Sequence, residues 1–150
     1  MTKRFFILVS LFLSIGFVGL CQHPAEKVTW EVLKNVSFKK KWYPQESIFM
    51  LYPTFAPTVK RLENKEVSIR GYVIPVDVSA NIYVLSAFPN SQCFFCGAAG
   101  PESVISLKPR KGTVKKYKTD EMHTFIGKLK LNAEDVYEMN YILEDAVLAE

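Results

Sequence analysis

Along residues 28–42, apolar and polar side chains alternate. Val28, Trp30, Val32, Val36, Phe38 and Trp42 share one parity with Lys34 and Lys40, while Thr29, Glu31, Asn35, Ser37, Lys39 and Lys41 hold the other. A period of two predicts one long, half-buried strand, with a bulge near Lys34-Asn35. Tyr43-Pro44-Gln45 breaks the pattern, and Tyr52–Pro57, with two prolines, reads as loop. Thr58–Leu62 reads as one helical turn, stopped by Glu63-Asn64-Lys65.

The clearest strand is Glu66–Val76. Val67, Ile69 and Val73 share a face with Gly71, against Ser68, Arg70 and Tyr72. A glycine inside a strand marks a bulge or a sharp bend of the kind a barrel needs. Asp77–Asn81 is a turn, so Ile82–Phe88 forms a hairpin with the strand before it. Pro89–Pro101 is a loop, Ser103–Leu107 a short strand, and Lys108–Lys118 a basic loop. His123–Leu131 alternates again. Asn132–Tyr137 carries the chemistry of a capped turn, with Asn132 as cap and acids after it. Met139–Leu148 fits a strand, with a terminal amphipathic helix as the alternative. The sum is an all-β chain with one or two short helices, and its most economical closure is a small five-stranded OB-like barrel.

Composition narrows the picture. The chain has 150 residues, 49% of them hydrophobic and 23% charged, which suits one domain with a real core. Residues 1–21 read as a signal peptide: Lys3 and Arg4 precede the apolar run Phe5–Leu20, and Gly19 and Cys21 are the small residues before cleavage at Gln22. The expected mature domain is 22–150, secreted or periplasmic. The alternatives are an uncleaved anchor and a lipoprotein acylated at Cys21, which alone would bring the chain to a membrane. Leu20 stands where a lipobox has Gly, Ala or Ser. Net charge is +4, and Lys3 and Arg4 carry two of those charges. That balance does not call for a polyanion such as duplex DNA. Trp30, Trp42, Tyr43, Tyr72 and Tyr83 are of the type that stacks on single-stranded bases, but export argues against a nucleic-acid partner. No Ser/His/Asp arrangement, P-loop or G-x-G-x-x-G occurs, so binding is favoured over catalysis.

The run Lys65–Pro75, with Val67-x-Ile69-x-Gly71-x-x-x-Pro75, is followed by a cysteine loop and then by Gly127-Lys128-Leu129-Lys130-Leu131 and Tyr141-Ile142-Leu143. Together they resemble small exported bacterial OB-like proteins of unknown function. The resemblance covers about two-thirds of the mature chain by its motifs. It implies the barrel fold and, because some relatives are linked to zinc handling, a role with metal. The related loop has one Cys, then a His and a proline run. Here it reads Cys93-Phe94-Phe95-Cys96-Gly97-Ala98-Ala99-Gly100-Pro101-Glu102, so ligand roles carry over no further than the cysteines.

Cys93-x-x-Cys96 is the chemistry-bearing element. Two sulfurs held close suit a metal pair, a redox disulfide or a structural clip. Gly97 and Gly100 let the backbone turn tightly and approach a bound group, and Pro101 stiffens the exit. A structural zinc takes four ligands at about 2.0–2.3 Å, and one CxxC supplies two. The sharpest intramolecular set is therefore Cys93, Cys96 and His123, with Glu102 or water completing it; Asp120 and Glu121 are other oxygen donors. Two chains sharing four cysteines is the intermolecular version. For thiol–disulfide exchange, a thioredoxin-like CxxC opens a helix after a strand, and Gly97–Pro101 does not start a helix well. In an oxidising exterior the pair also suits a plain disulfide. Lys108, Arg110, Lys111, Lys115, Lys116 and Lys118 read as a solvated loop or as contact with an anionic surface. The expected partners are a metal ion or an exported protein.

Overall fold

The computed structural model describes residues 24–113 and 116–149. The expected signal peptide, Cys21, His23 and Lys115 lie outside the described residues. The order is β1 (Glu26–Lys27), α1 (Trp30–Leu33), β2 (Val36–Tyr43), β3 (Ile48–Phe55), α2 (Pro57–Lys60), β4 (Glu66–Asp77), β5 (Ile82–Ser86), β6 (Val104–Pro109), β7 (Met122–Leu131) and β8 (Tyr141–Leu148).

β4 is long enough to serve two neighbours. Its first half pairs with β7, from Glu66↔Lys128 to Tyr72↔Met122, and its second half with β5, from Tyr72↔Ser86 to Asp77↔Ile82. β5 pairs with β6, β6 runs parallel to β8, and β8 returns antiparallel to β7. The circuit β4-β5-β6-β8-β7-β4 closes a five-stranded barrel, the small all-β OB-like architecture the pattern predicts. Closure pairs each of these strands with two neighbours, and β1 covers part of the remaining edge of β4 through Glu26↔Val67 and Lys27↔Ser68. The strand over Met139–Leu148 is β8, so the terminal-helix alternative does not form.

Strand alternation assigns the core. Val67, Ile69 and Val73 face inward with Tyr83, Leu85, Ile105, Leu107, Phe125, Leu129, Tyr141 and Leu143, all buried in one cluster. Gly71 sits where β4 passes from one neighbour to the other. A Cβ there would lie 2.6 Å from the Ser86 carbonyl oxygen and 2.9 Å from the Leu85 side chain, so only glycine lets the strands approach.

One end of the barrel is plugged by the N-terminal helical turns. Leu33, Val59 and Leu62 are fully buried. The Tyr141 hydroxyl donates to the Leu33 carbonyl at 2.7 Å, and the Trp30 indole N–H donates to the Arg70 carbonyl at 2.8 Å.

Here two expectations are corrected. The alternation over 28–42 is not one strand: Trp30–Leu33 turns helical, and only Val36–Tyr43 is extended. Leu33 has the wrong parity for the strand, and burying it on the barrel end outweighs the pattern. Tyr52–Pro57 is not a loop either, because Tyr52–Phe55 belongs to β3. β2 and β3 form a separate two-stranded ribbon, where Pro53 stands opposite Phe38. Neither strand has a second partner, so a missing outward N–H costs proline nothing there.

Candidate functional site

The cysteine segment links β5 to β6. The Ala87 N–H donates to the Ser103 carbonyl at 3.0 Å, closing its base. The Asn90 N–H donates to Asp120 Oδ1 at 2.7 Å, tying it to the approach of β7. Between these ties run three 3-10 turns, Asn90–Gln92, Phe94–Cys96 and Pro101–Ser103. They are short because glycine and proline interrupt any longer helix. Cys93 is buried yet outside the interior cluster. Ile74, Val84, Ser86 and Val104, whose register puts them on the barrel's outer face, are buried as well. In OB barrels the outer face of the second and third strands, here β5 and β6, is where ligands commonly sit.

Both thiols are free, Cys93 buried and Cys96 exposed. Cys96 Sγ donates to the Asn90 carbonyl at 3.0 Å, and Cys93 Sγ lies 3.9 Å from Asn90 Oδ1. Asn90 therefore orients both sulfurs. Desolvation, and then the Cys93 thiol beside it, push the Cys96 thiol above its ordinary range. Cys96 is thus protonated at neutral pH, the opposite of the depressed pKa that marks a nucleophilic cysteine. Gly97, at φ 73°, ends the second turn in the left-handed region.

The other expected ligands are not gathered around this pair. His123 stands opposite Gly71 on the interior face of β7. Its Nε2 is 3.3 Å from Glu121 Oε2, and its ring lies 5.5 Å from that of Tyr117. The hydrogen bond from the Lys118 N–H, then the one from His123, holds the Glu121 carboxyl below its usual range. Glu102 folds back on its own turn, where a side chain at Gly100 would overlap its carboxylate. Among the described residues no three His, Cys, Asp or Glu side chains converge on one metal position. The set Cys93, Cys96, His123 and Glu102 is therefore not a preassembled centre. Strand parity is the reason: the thiols lie outside the barrel core and the imidazole faces into it.

The basic run also divides. Lys108 Nζ pairs with Glu138 at 2.6 Å. Arg110 lines a depression with Glu66, Lys128 and Asp145, while Lys111 and Lys116 are exposed. Sequence reasoning missed Asn90 and took Asp120 only for an oxygen donor; both position the cysteine segment, and nothing local marks a residue whose partner lies 30 positions away. It also missed a cavity of about 360 Å³ beside Phe94 and Pro101, walled by Met50 and Leu51 of the ribbon and by Met139. No helix among the described residues is long and apolar enough to cross a membrane. Comparison with protein families, curated proteins and solved structures returns no match.

Proposed function

We propose that this chain is an exported binding protein that takes a divalent metal ion, zinc by its ligand chemistry, through the Cys93–Cys96 dithiol on an OB-like barrel. The observation that supports this reading is a pair of free, neighbouring thiols, both turned toward Asn90 and one of them open to solvent. Thiolates select soft and borderline ions. Cys96 meets the ion first, and Cys93 follows from beneath it. His123 and Glu102 stand apart from the pair, so the remaining ligands come from outside: a second copy contributing its own cysteines, or an exported partner.

The test is zinc competition under reducing conditions on residues 22–150, which carry every described element. Cys93→Ser/Cys96→Ser is expected to lose zinc while its far-UV circular dichroism stays native. Equal zinc in wild type and the double variant overturns the reading. One zinc per two chains, with a zinc-dependent dimer, identifies the second copy as the source of the other ligands.

The same thiol pair supports a second reading, a thiol–disulfide redox protein. The raised Cys96 pKa works against it. Catalysed insulin reduction by the wild type, lost in the double variant, would favour it instead.

A further inference from the structure

The helical turns plug one end of the barrel, the end where β8 begins. At the opposite end β5 and β7 begin, and β6 and β8 finish. The mouth framed there holds a cavity of about 320 Å³. Its wall includes the core residues Tyr83, Leu107, Phe125 and Ala146 and the partly buried Tyr117 and Leu148. The mouths of β-barrels are common sites for small molecules, and about 300 Å³ is the lower end of their range.

One group in this wall is left unsatisfied by the fold. The Tyr83 hydroxyl is buried without a hydrogen-bond partner among the described residues, whereas the other buried tyrosine, Tyr141, has one. Tyr83 faces inward from β5, between Pro75 of β4 and Leu107 of β6, and its side chain forms part of the cavity wall. An orphan hydroxyl destabilises the empty protein and is satisfied by whatever brings it an acceptor. Tyr117 packs edge-on against the Tyr83 ring, with centres 5.3 Å apart, and against Phe125 at 5.6 Å. Tyr83 and Phe125 are fixed by their strands, and Tyr117 belongs to none.

The wall selects the ligand. None of its described residues is charged, so an ion would be desolvated there without a counter-charge. The rings of Tyr83, Tyr117 and Phe125 favour a planar aromatic molecule. An apolar cavity of about 150 Å³ takes one benzene. This cavity is about twice that size and takes a fused pair of rings. We infer that the open end of the barrel binds an uncharged, fused-ring aromatic molecule whose carbonyl oxygen accepts the Tyr83 hydroxyl. The Tyr117 ring turns off Tyr83 to admit it. Neither Cys93 nor Cys96 lines this cavity, so the inference does not rest on metal binding.

The experiment is an NMR titration of methyl-labelled residues 22–150 with coumarin, a fused-ring lactone with a carbonyl, and with naphthalene, which has the rings and no acceptor. Saturable coumarin binding is expected, shifting the methyls of Leu107 and Leu148 and sparing those of Val59 and Leu62 at the plugged end. Tyr83→Phe is expected to weaken coumarin by about 3- to 10-fold and to leave naphthalene unchanged. The comparison of the two ligands isolates the hydrogen bond from any change in the shape of the mouth. Absence of saturable coumarin binding overturns the inference. So does an affinity for coumarin that Tyr83→Phe leaves unchanged, or an equal loss for both ligands. Shifts confined to the plugged end overturn it as well. Native circular dichroism of Tyr83→Phe, which keeps the ring and its packing, holds the test independent of folding.

Discussion

Two tyrosines of the barrel core offer a controlled comparison. Tyr141 and Tyr83 are both buried, at 0% and 1% exposure. The Tyr141 hydroxyl donates to the Leu33 carbonyl at 2.7 Å, across 108 residues of chain. The Tyr83 hydroxyl has no hydrogen-bond partner among the described residues. Each Tyr→Phe change keeps the ring and its packing, including the Tyr141 contact with Phe55 at 5.5 Å between ring centres. Only the oxygen differs. Removing the Tyr141 hydroxyl deletes a bond with a net value of about 1 kcal/mol and strands a buried carbonyl at a further cost of about 1–3 kcal/mol. A loss of about 2–4 kcal/mol follows, which at this chain length lowers the melting temperature by about 6–16 °C. Removing the Tyr83 hydroxyl deletes a buried polar atom that bonds to nothing among the described residues, so Tyr83→Phe is neutral or stabilising by up to about 1 kcal/mol. Urea titration of both variants of residues 22–150, followed by circular dichroism at constant m-value, measures the difference. Equal losses, or a larger loss for Tyr83→Phe, would refute the argument that hydrogen-bond satisfaction, rather than tyrosine burial, ties α1 to the barrel.

Gly71→Ala puts its Cβ 2.6 Å from the Ser86 carbonyl oxygen, a backbone atom that cannot swing away, so a loss of about 2–3 kcal/mol is expected in the same titration. Burial, and then the charge of Glu102, push the Tyr141 hydroxyl above its ordinary range. The unfolded chain loses that proton near about pH 10 while the folded chain keeps it, so stability is unaffected below about pH 10 and falls above it. Unfolding measured against pH should show this alkaline decline, less steep in Tyr141→Phe. The cysteines should separate in the same way by burial: Cys93→Ser costs about 1–3 kcal/mol for a hydroxyl placed in a buried site. Exposed Cys96→Ser stays within about 0.5 kcal/mol of wild type by chemical denaturation.

What could be read from residue order alone was local. The alternation in Glu66–Val76, His123–Leu131 and Met139–Leu148 reports which side chains need burying, and those strands are β4, β7 and β8 within a residue or two at each end. The cysteine spacing likewise placed two thiols side by side, because three residues of chain leave them little choice. Where alternation was incidental it misled. Trp30 and Val32 fitted a strand by parity, but Leu33, at odd parity, is the residue that plugs the barrel, and the chain turns to deliver it. Pro53 looked like a breaker only because the ribbon's lack of a second partner was not visible in the sequence.

The composition of the candidate site was legible, and its assembly was not. That Cys93, Cys96, His123 and Glu102 have ligand chemistry follows from residue type. Their distribution, with the thiols outside the core and the imidazole opposite Gly71 on the interior face of β7, follows from register, which hydrogen bonds between distant strands decide. The exposed face of the ribbon is the same kind of fact. Trp42, Phe49 and Leu51 are as apolar as any core residue, and only the closing of the barrel without them leaves them in water. Sequence by itself determined which segments are extended and which atoms can bind. Tertiary structure decided which of those atoms meet, because strand pairing and burial are settled jointly by the whole chain.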